Sequence, residues 1–287
     1  MQLSRTFTDA MSLSARLRER IIALQHALDR TATALRLKAT PEKIHDVRIA
    51  ARRLRALLHA FRRELDSRSV KQYRRELKGL THDLEAAREA HVTKSAIAQL
   101  TKVGSSNIRI EAGALHERVA DEYLSAVQRL RTRVAAAPWR RRLSKLQRLS
   151  IRPSLVPMNG EPAAIAILRR VNRAHRWLRL ALCHAGKNPK RLHRLRLKVK
   201  QVRYLLEDSG VKTPLATESE LKGLRLMQDC LGDMHDEENL RESLRNRRMP
   251  RRATHGLMDE LRRRKRGRYE EFKKGRKDLM KRWHDLD

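Results

Sequence analysis

Two short rows of cations carry the residue types and the spacing from which this chain's chemistry can be argued. His45, Arg48, Arg52 and Arg55 follow at steps of 3, 4 and 3, and His193, Arg196, Lys200 and Arg203 follow at the same steps. On a helix of 3.6 residues per turn each set lies along one face. A guanidinium is a planar fork of N–H donors that can hold two oxygens of one oxyanion, whereas an ammonium acts as a point charge. Like charges three and four residues apart repel. Such a row therefore persists either as a solvated face or as a face neutralised by an anionic ligand. The leading histidine is read in three ways: a packed, hydrogen-bonded residue, a donor to a ligand oxygen, or a metal ligand. The sequence holds no HExxH and no compact Cys/His set of the kind that ligates zinc, so no metal site is assigned.

The elements that position these rows are legible. Thr40 is suited to cap a helix whose first residue is Pro41, where no backbone N–H is needed. Ile44, Val47, Ala51, Leu54, Leu58 and Phe61 then recur at 3, 4, 3, 4 and 3, an apolar stripe beside the basic row. Asn188 and Pro189 repeat the cap and the proline. Leu192, Leu195, Val199, Val202 and Leu206 repeat the leading apolar positions. Proline (189 − 41), histidine (193 − 45), basic row and apolar row all shift by 148 residues. The segment LEAAREAHV at 84–92 resembles LGDMHDEEN at 231–239 at an offset of 147, one indel away. This is the signature of an internal duplication.

The remaining chain reads as helix throughout. Residues 1–11 are expected as a loose arm, followed by a first helix to about Lys38 with Arg16, Arg18 and Arg20 near its start, the wrong end of the helix dipole for cations. A single third helix is expected from Ser69 to about residue 102, and a fourth from Ile108 to Arg133. A short basic segment spans Trp139–Leu149, and IRPSLVPMNGEP at 151–162 is a linker because its prolines and glycine cannot sit inside a regular helix. A helix with Arg169, Arg170, Arg173 and Arg176 precedes Asn188. Further helices are expected from Thr217 to Arg245 and over residues 253–284. The fold class is all-α: two tandem four-helix bundles related by pseudo-two-fold duplication, with units at 12–150 and 163–284 joined by the linker at 151–162.

Composition sets the partner class. Lys and Arg number 67 against 33 acidic residues, a formal charge of +34, which opposes compaction unless counterions or a polyanion screen it. Aromatic residues are 3% of the chain, which disfavours base stacking but leaves phosphate binding open. Trp139, Trp177 and Trp283 are expected in the core or between helices. No apolar run reaches membrane-spanning length. Cys183 and Cys230 form no disulfide framework, so a reducing, cytoplasmic compartment is the simpler expectation. DNA, RNA and inorganic polyphosphate all fit rows of cations on several helices. No helix-turn-helix, zinc finger or RNP-like segment is present, and a narrow phosphate chain can follow a groove or pore closed to a rigid duplex. The residues assigned to binding are His45, Arg48, Arg52, Arg55, His193, Arg196, Lys200 and Arg203, joined by Arg16, Arg20, Arg169 and Arg173. No cofactor is assigned. No Walker A loop, Rossmann fingerprint or nucleophile elbow occurs, and Glu85, Glu89, Asp233, Asp236, Glu237 and Glu238 are read as helix-surface carboxylates. The chain is expected not to be an enzyme. General polyanion or nucleic-acid binding and metal-dependent phosphoanhydride hydrolysis stand as alternatives.

IHDVRIAARRLRALLHAF in the first repeat resembles the signature of the CHAD family, the conserved histidine α-helical domain. LHRLRLKVKQVRYLLE and LKGLRLMQDCLGDMHDEENL are similar to that family's second-copy segments, and the likeness runs from about residue 12 to 284. It implies two pseudo-symmetric four-helix bundles, binding of inorganic polyphosphate through basic surfaces, and association with polyphosphate granules. It carries the binding role onto the two His-led rows. Some members are fused to a catalytic triphosphate-tunnel domain, for which these 287 residues leave no length. Three positions depart from the pattern. Glu85 and Glu89 occupy positions where the family pattern has glycine and aspartate, and His235 stands where arginine is usual.

Overall fold

The computed structural model describes residues 2–62, 65, 67–103, 106–148, 163–209, 217–246 and 255–284, with the side chains of residues 2–17 and several at helix ends left outside that set. The expected linker at 151–162 and the Arg16 side chain therefore lie outside the described residues. The regular elements are all helices: α1 Gln2–Leu37, α2 Pro41–Ala60, α3 Ser67–Asp83, α4 Glu85–Val103, α5 Ser106–Ala135, α6 Ala137–Arg148, α7 Ala163–Cys183, α8 Pro189–Ser209, α9 Glu218–Asn246 and α10 His255–His284. Among the described residues no helix is long and apolar enough to cross a membrane. Cys183 and Cys230 are free thiols.

The caps form as the sequence dictates. Thr40 is extended (φ −112°, ψ 160°) and its hydroxyl accepts from the Lys43 N–H at 3.4 Å, with Pro41 opening the helix. Asn188 Oδ1 accepts from the Lys190 and Arg191 N–H groups at 3.0 and 3.2 Å. Thr217 does the same for Glu220 at 3.3 Å.

Two elements differ from expectation. α1 begins at Gln2, so residues 2–11 are helix and not a loose arm. Leu3, Phe7 and Met11 continue a four-residue apolar period, and neither proline nor glycine interrupts it. The expected third helix is broken at Leu84 into α3 and α4. Its preceding turn is acted on twice: the Thr81 hydroxyl bonds back to the Leu77 and Lys78 carbonyls, and the Thr81 carbonyl accepts from Arg48 at 3.3 Å. Threonine back-bonding and a side chain competing for a ladder carbonyl are both recognised causes of helix bending.

The chain divides into two compact units that draw on both halves of the sequence. The first comprises 1–85, 130–180 and 200–221, and the second 86–129, 181–199 and 222–287. In the first unit α1 packs on α2, α2 on α3, α3 on α6, and α6 back on α1, a closed four-helix ring. Ile44, Val47, Ala51, Leu54, Leu58 and Phe61 are each at most 1% exposed, against Ile21, Leu24 and Leu28 of α1 and Val70, Tyr73, Leu77 and Leu80 of α3. Burying side chains of this size contributes about 1.5–3 kcal/mol each. Tyr73 ties the ring polarly: its hydroxyl donates to the Leu146 carbonyl at 2.9 Å and accepts from Gln25 at 3.2 Å, and burial pushes its pKa up to about 12. In the second unit Ile97 and Leu100 of α4, Leu115 and Val119 of α5, Leu240 and Leu244 of α9, and Leu257 and Leu261 of α10 form one core. Trp139 and Trp283 are buried as expected, but Trp177 on α7 is 62% exposed and packs in no core.

Candidate anion-binding site

The cap and the apolar stripe fix the phase of α2, and the phase decides what each member of the first basic row meets. His45, at the head, is exposed. Arg48 is turned inward to 4% exposure, donating to the Thr81 carbonyl at 3.3 Å and to Glu85 at 3.2 Å. Arg52 and Arg55 are half-buried. Arg55 lies beside Arg74 of α3, and burial first, then the Arg74 charge, pushes its pKa down. The Nε of Arg74 is buried and has no hydrogen-bond partner.

The second row differs in its surroundings. Arg196, 148 residues after Arg48, is also buried, at 8% exposure. Its guanidinium lies 3.8 Å from where a Cβ on Gly232 would stand. Gly232 sits 147 residues after Glu85 (232 − 85), so at corresponding positions one buried arginine meets a carboxylate and the other a glycine. The His193 ring lies 4.5 Å, centroid to centroid, from His235, tilted by 54° to it. Burial, the Arg196 charge and His193 lower the pKa of His235 to about 4, which keeps that ring neutral near pH 7. Lys200 is half-buried. Arg203 donates to Glu207 at 2.7 Å and lies 4.5 Å over the Tyr204 ring. Thus His45, Arg48, Arg52, Arg55, Lys200 and Arg203 belong to the first compact unit, and His193 and Arg196 to the second.

The cations assigned from flanking helices divide. Arg20 bonds Asp208 through Nε and Nη2 at 2.8 and 2.6 Å, so its charge is met within the protein. Arg53 bonds the same carboxylate at 2.7 Å and Glu207 at 3.4 Å. Burial works against the Arg53 charge, but Asp208 and Glu207 outweigh it and its pKa rises. Arg169 and Arg173 are exposed on α7. Sequence reasoning missed both Arg74 and the Asp208 network. Arg74 had a signal: Arg74, Lys78, Thr81 and Glu85 recur at 4, 3 and 4 and so share a face. Asp208 had none, because its partners lie 155 and 188 residues away.

Four of the six acidic residues named for hydrolysis, Glu85, Asp233, Asp236 and Glu238, are engaged with cations. Besides Glu85 with Arg48, Asp236 meets Arg88 at 3.3 Å, Asp233 meets Arg268 at 3.2 Å, and Glu238 pairs with Lys265 and with Arg241 at 3.1 Å. Among the described residues no group of three His, Cys, Asp or Glu is placed to hold a metal ion. Glu237 is the exception in charge state: burial first, then Asp233, raises its pKa to about 7. A folded-state value above the ordinary one means stability present below about pH 4.5 and lost as pH rises towards 7. Glu237→Gln is therefore expected to stabilise the protein at pH 8, by about 1 kcal/mol after allowing for solvent screening of a half-exposed group. Urea unfolding at pH 5 and pH 8 checks it, and an equal effect at both would show an ordinary carboxyl.

Comparison with known proteins bears on the assignment. No curated protein matches the chain. Its fold is similar to PptA from Streptomyces chartreusis, at 18% identity and a TM-score of 0.65, covering 94% of this chain and 99% of that one. It is also similar to the CHAD domain from the plant Ricinus communis, at 19% identity and a TM-score of 0.63, covering 92% and 91%. The profile of the CHAD domain matches residues 19–245, which take in both His-led rows, the buried Arg48 and Arg196, and Gly232 beside the latter. By that match the chain belongs to the CHAD domain family.

Proposed function

We propose that the protein binds inorganic polyphosphate along the basic rows of α2 and α8, does not turn it over, and is drawn by it to polyphosphate granules. The observation that carries this reading is Arg55. Its guanidinium is half-buried beside a second guanidinium, and no carboxylate is paired with it among the described residues. An oxyanion there relieves both the repulsion and the burial cost. Family membership supports polyphosphate as that oxyanion, and the low aromatic content argues against base stacking.

Polyphosphate of defined lengths, titrated in competition with duplex DNA at matched phosphate concentration, tests the ligand class. Polyphosphate is expected to bind more tightly and to weaken as salt rises, because cation–phosphate contacts dominate. Equal affinity for both would leave a general polyanion binder. Incubation with Mg²⁺ or Mn²⁺ is expected to leave chain length unchanged, whereas shortening that depends on Asp236 would make the protein a hydrolase.

A further inference from the structure

We infer that Arg74 and Lys78 of α3 are the second wall of the α2 site, and that a phosphate group lies between Arg55 and Arg74. The inference rests on the reading of α2 as a phosphate-binding row and adds residues to it from another helix.

Register places the residues. α2 and α3 are packed neighbours in the first compact unit. Arg48 reaches Thr81 and Glu85, while Arg55, two turns further along α2, meets Arg74, two turns earlier on α3. The helices therefore run antiparallel. Arg52, one turn after Arg48, falls opposite Lys78, one turn before Thr81. Two cations of α2 thus face two of α3.

Charge on α3 is sorted by face. Glu76 and Asp83 lie about 180° round the helix from Arg74 and Lys78. Both are occupied there: Glu76 by Arg142 at 3.4 Å and Lys145 at 3.9 Å, and Asp83 by Arg133 at 2.9 Å and by Arg142. Arg142 also covers Gly79, on the same side. Neither α3 carboxylate is left to neutralise the face towards α2. The seam accordingly holds two guanidinium groups in mutual repulsion, with one buried N–H donor unanswered. The tetrahedral oxyanion of a chain phosphate completes it: one of its two non-bridging oxygens accepts from Arg55 and the other from Arg74. The ligand chemistry is a phosphate within a chain, inorganic or from a nucleic-acid backbone.

Arg74→Gln in the full chain tests the seam. Without ligand, the variant is expected to melt at or above the wild-type temperature, since it removes repulsion. Its affinity for long-chain polyphosphate is expected to fall about tenfold. Arg55→Gln is expected to cost a similar factor, and R55Q/R74Q less than the product of the two, because both act on one phosphate. Arg74→Lys should retain most of the affinity. Parallel titration with single-stranded DNA separates the sources: loss for polyphosphate alone assigns the inorganic chain, and loss for both assigns a phosphate backbone of either kind. A ligand-free R74Q that melts lower would make Arg74 a packing residue and overturn the inference. So would unchanged affinity in R74Q/K78Q where R52E/R55E loses it, leaving the α2 row intact as a site. Unchanged affinity in all these variants would overturn the α2 reading itself.

Discussion

R52E/R55E is expected to lower affinity for long-chain polyphosphate by about 100-fold or more while leaving helicity intact. Each arginine offers a charge-assisted hydrogen bond worth about 1.5–3 kcal/mol, and tenfold in affinity corresponds to about 1.4 kcal/mol. Losing two such contacts gives about two to four decades, and the introduced carboxylates add repulsion. Both side chains are half-buried and lie outside the apolar stripe, so glutamate, an equally good helix former, is tolerated there. Arg48 is the informative contrast. Its position in the row suggests an equivalent ligand, but its guanidinium is committed to Thr81 and Glu85. Arg48→Glu would face Glu85 and expose the carbonyl to a buried anion, so lost binding in that variant would report lost structure. Fluorescence titration together with circular dichroism separates the two cases. Full affinity in a helical R52E/R55E would show that the row is a solvated face.

That contrast marks the limit of what periodicity can specify. Spacing gives the phase of a helix, and the phase was enough for α2: Thr40 and Pro41 set its start, and the positions from Ile44 to Phe61 are the buried ones. It does not give the neighbour. Arg48 and Arg52 are four residues apart on one face, yet Arg48 is buried and Arg52 is not, because the former meets α3 at the turn before the Leu84 break. The break itself left no proline or glycine in the sequence, only Thr81 and an arginine arriving from 33 residues away. Glu85 shows the same limit from the other side. It stands where the family pattern has glycine, and in the fold it is the counterion of a buried arginine. The exposed Trp177 was misplaced for a simpler reason: a large aromatic is expected inside on average, and one residue's average carries no orientation.

Asp208 is where the largest loss of stability is expected. Its side chain is 1% exposed and accepts from both Arg20 and Arg53, which joins the end of α8 to α1 and α2 within the first compact unit. Removing one partner of a buried ion pair leaves uncompensated charge and costs about 3–5 kcal/mol. Arg20 and Arg53 retain 37% and 26% side-chain exposure, and water can answer part of their charge. Asp208→Ala is therefore expected near the lower end, about 3 kcal/mol, read as a shift in the urea midpoint at unchanged slope. D208L/R53M should recover part of the loss, since an apolar pair of similar volume replaces charges that had to be desolvated. The same variant separates the two kinds of arginine in this protein. If Arg20 and Arg53 serve the fold and Arg52 and Arg55 serve the ligand, D208A below its melting temperature keeps its polyphosphate affinity or gains some from the released cations. A large drop in affinity at retained fold would place Asp208 and its two arginines in the binding site.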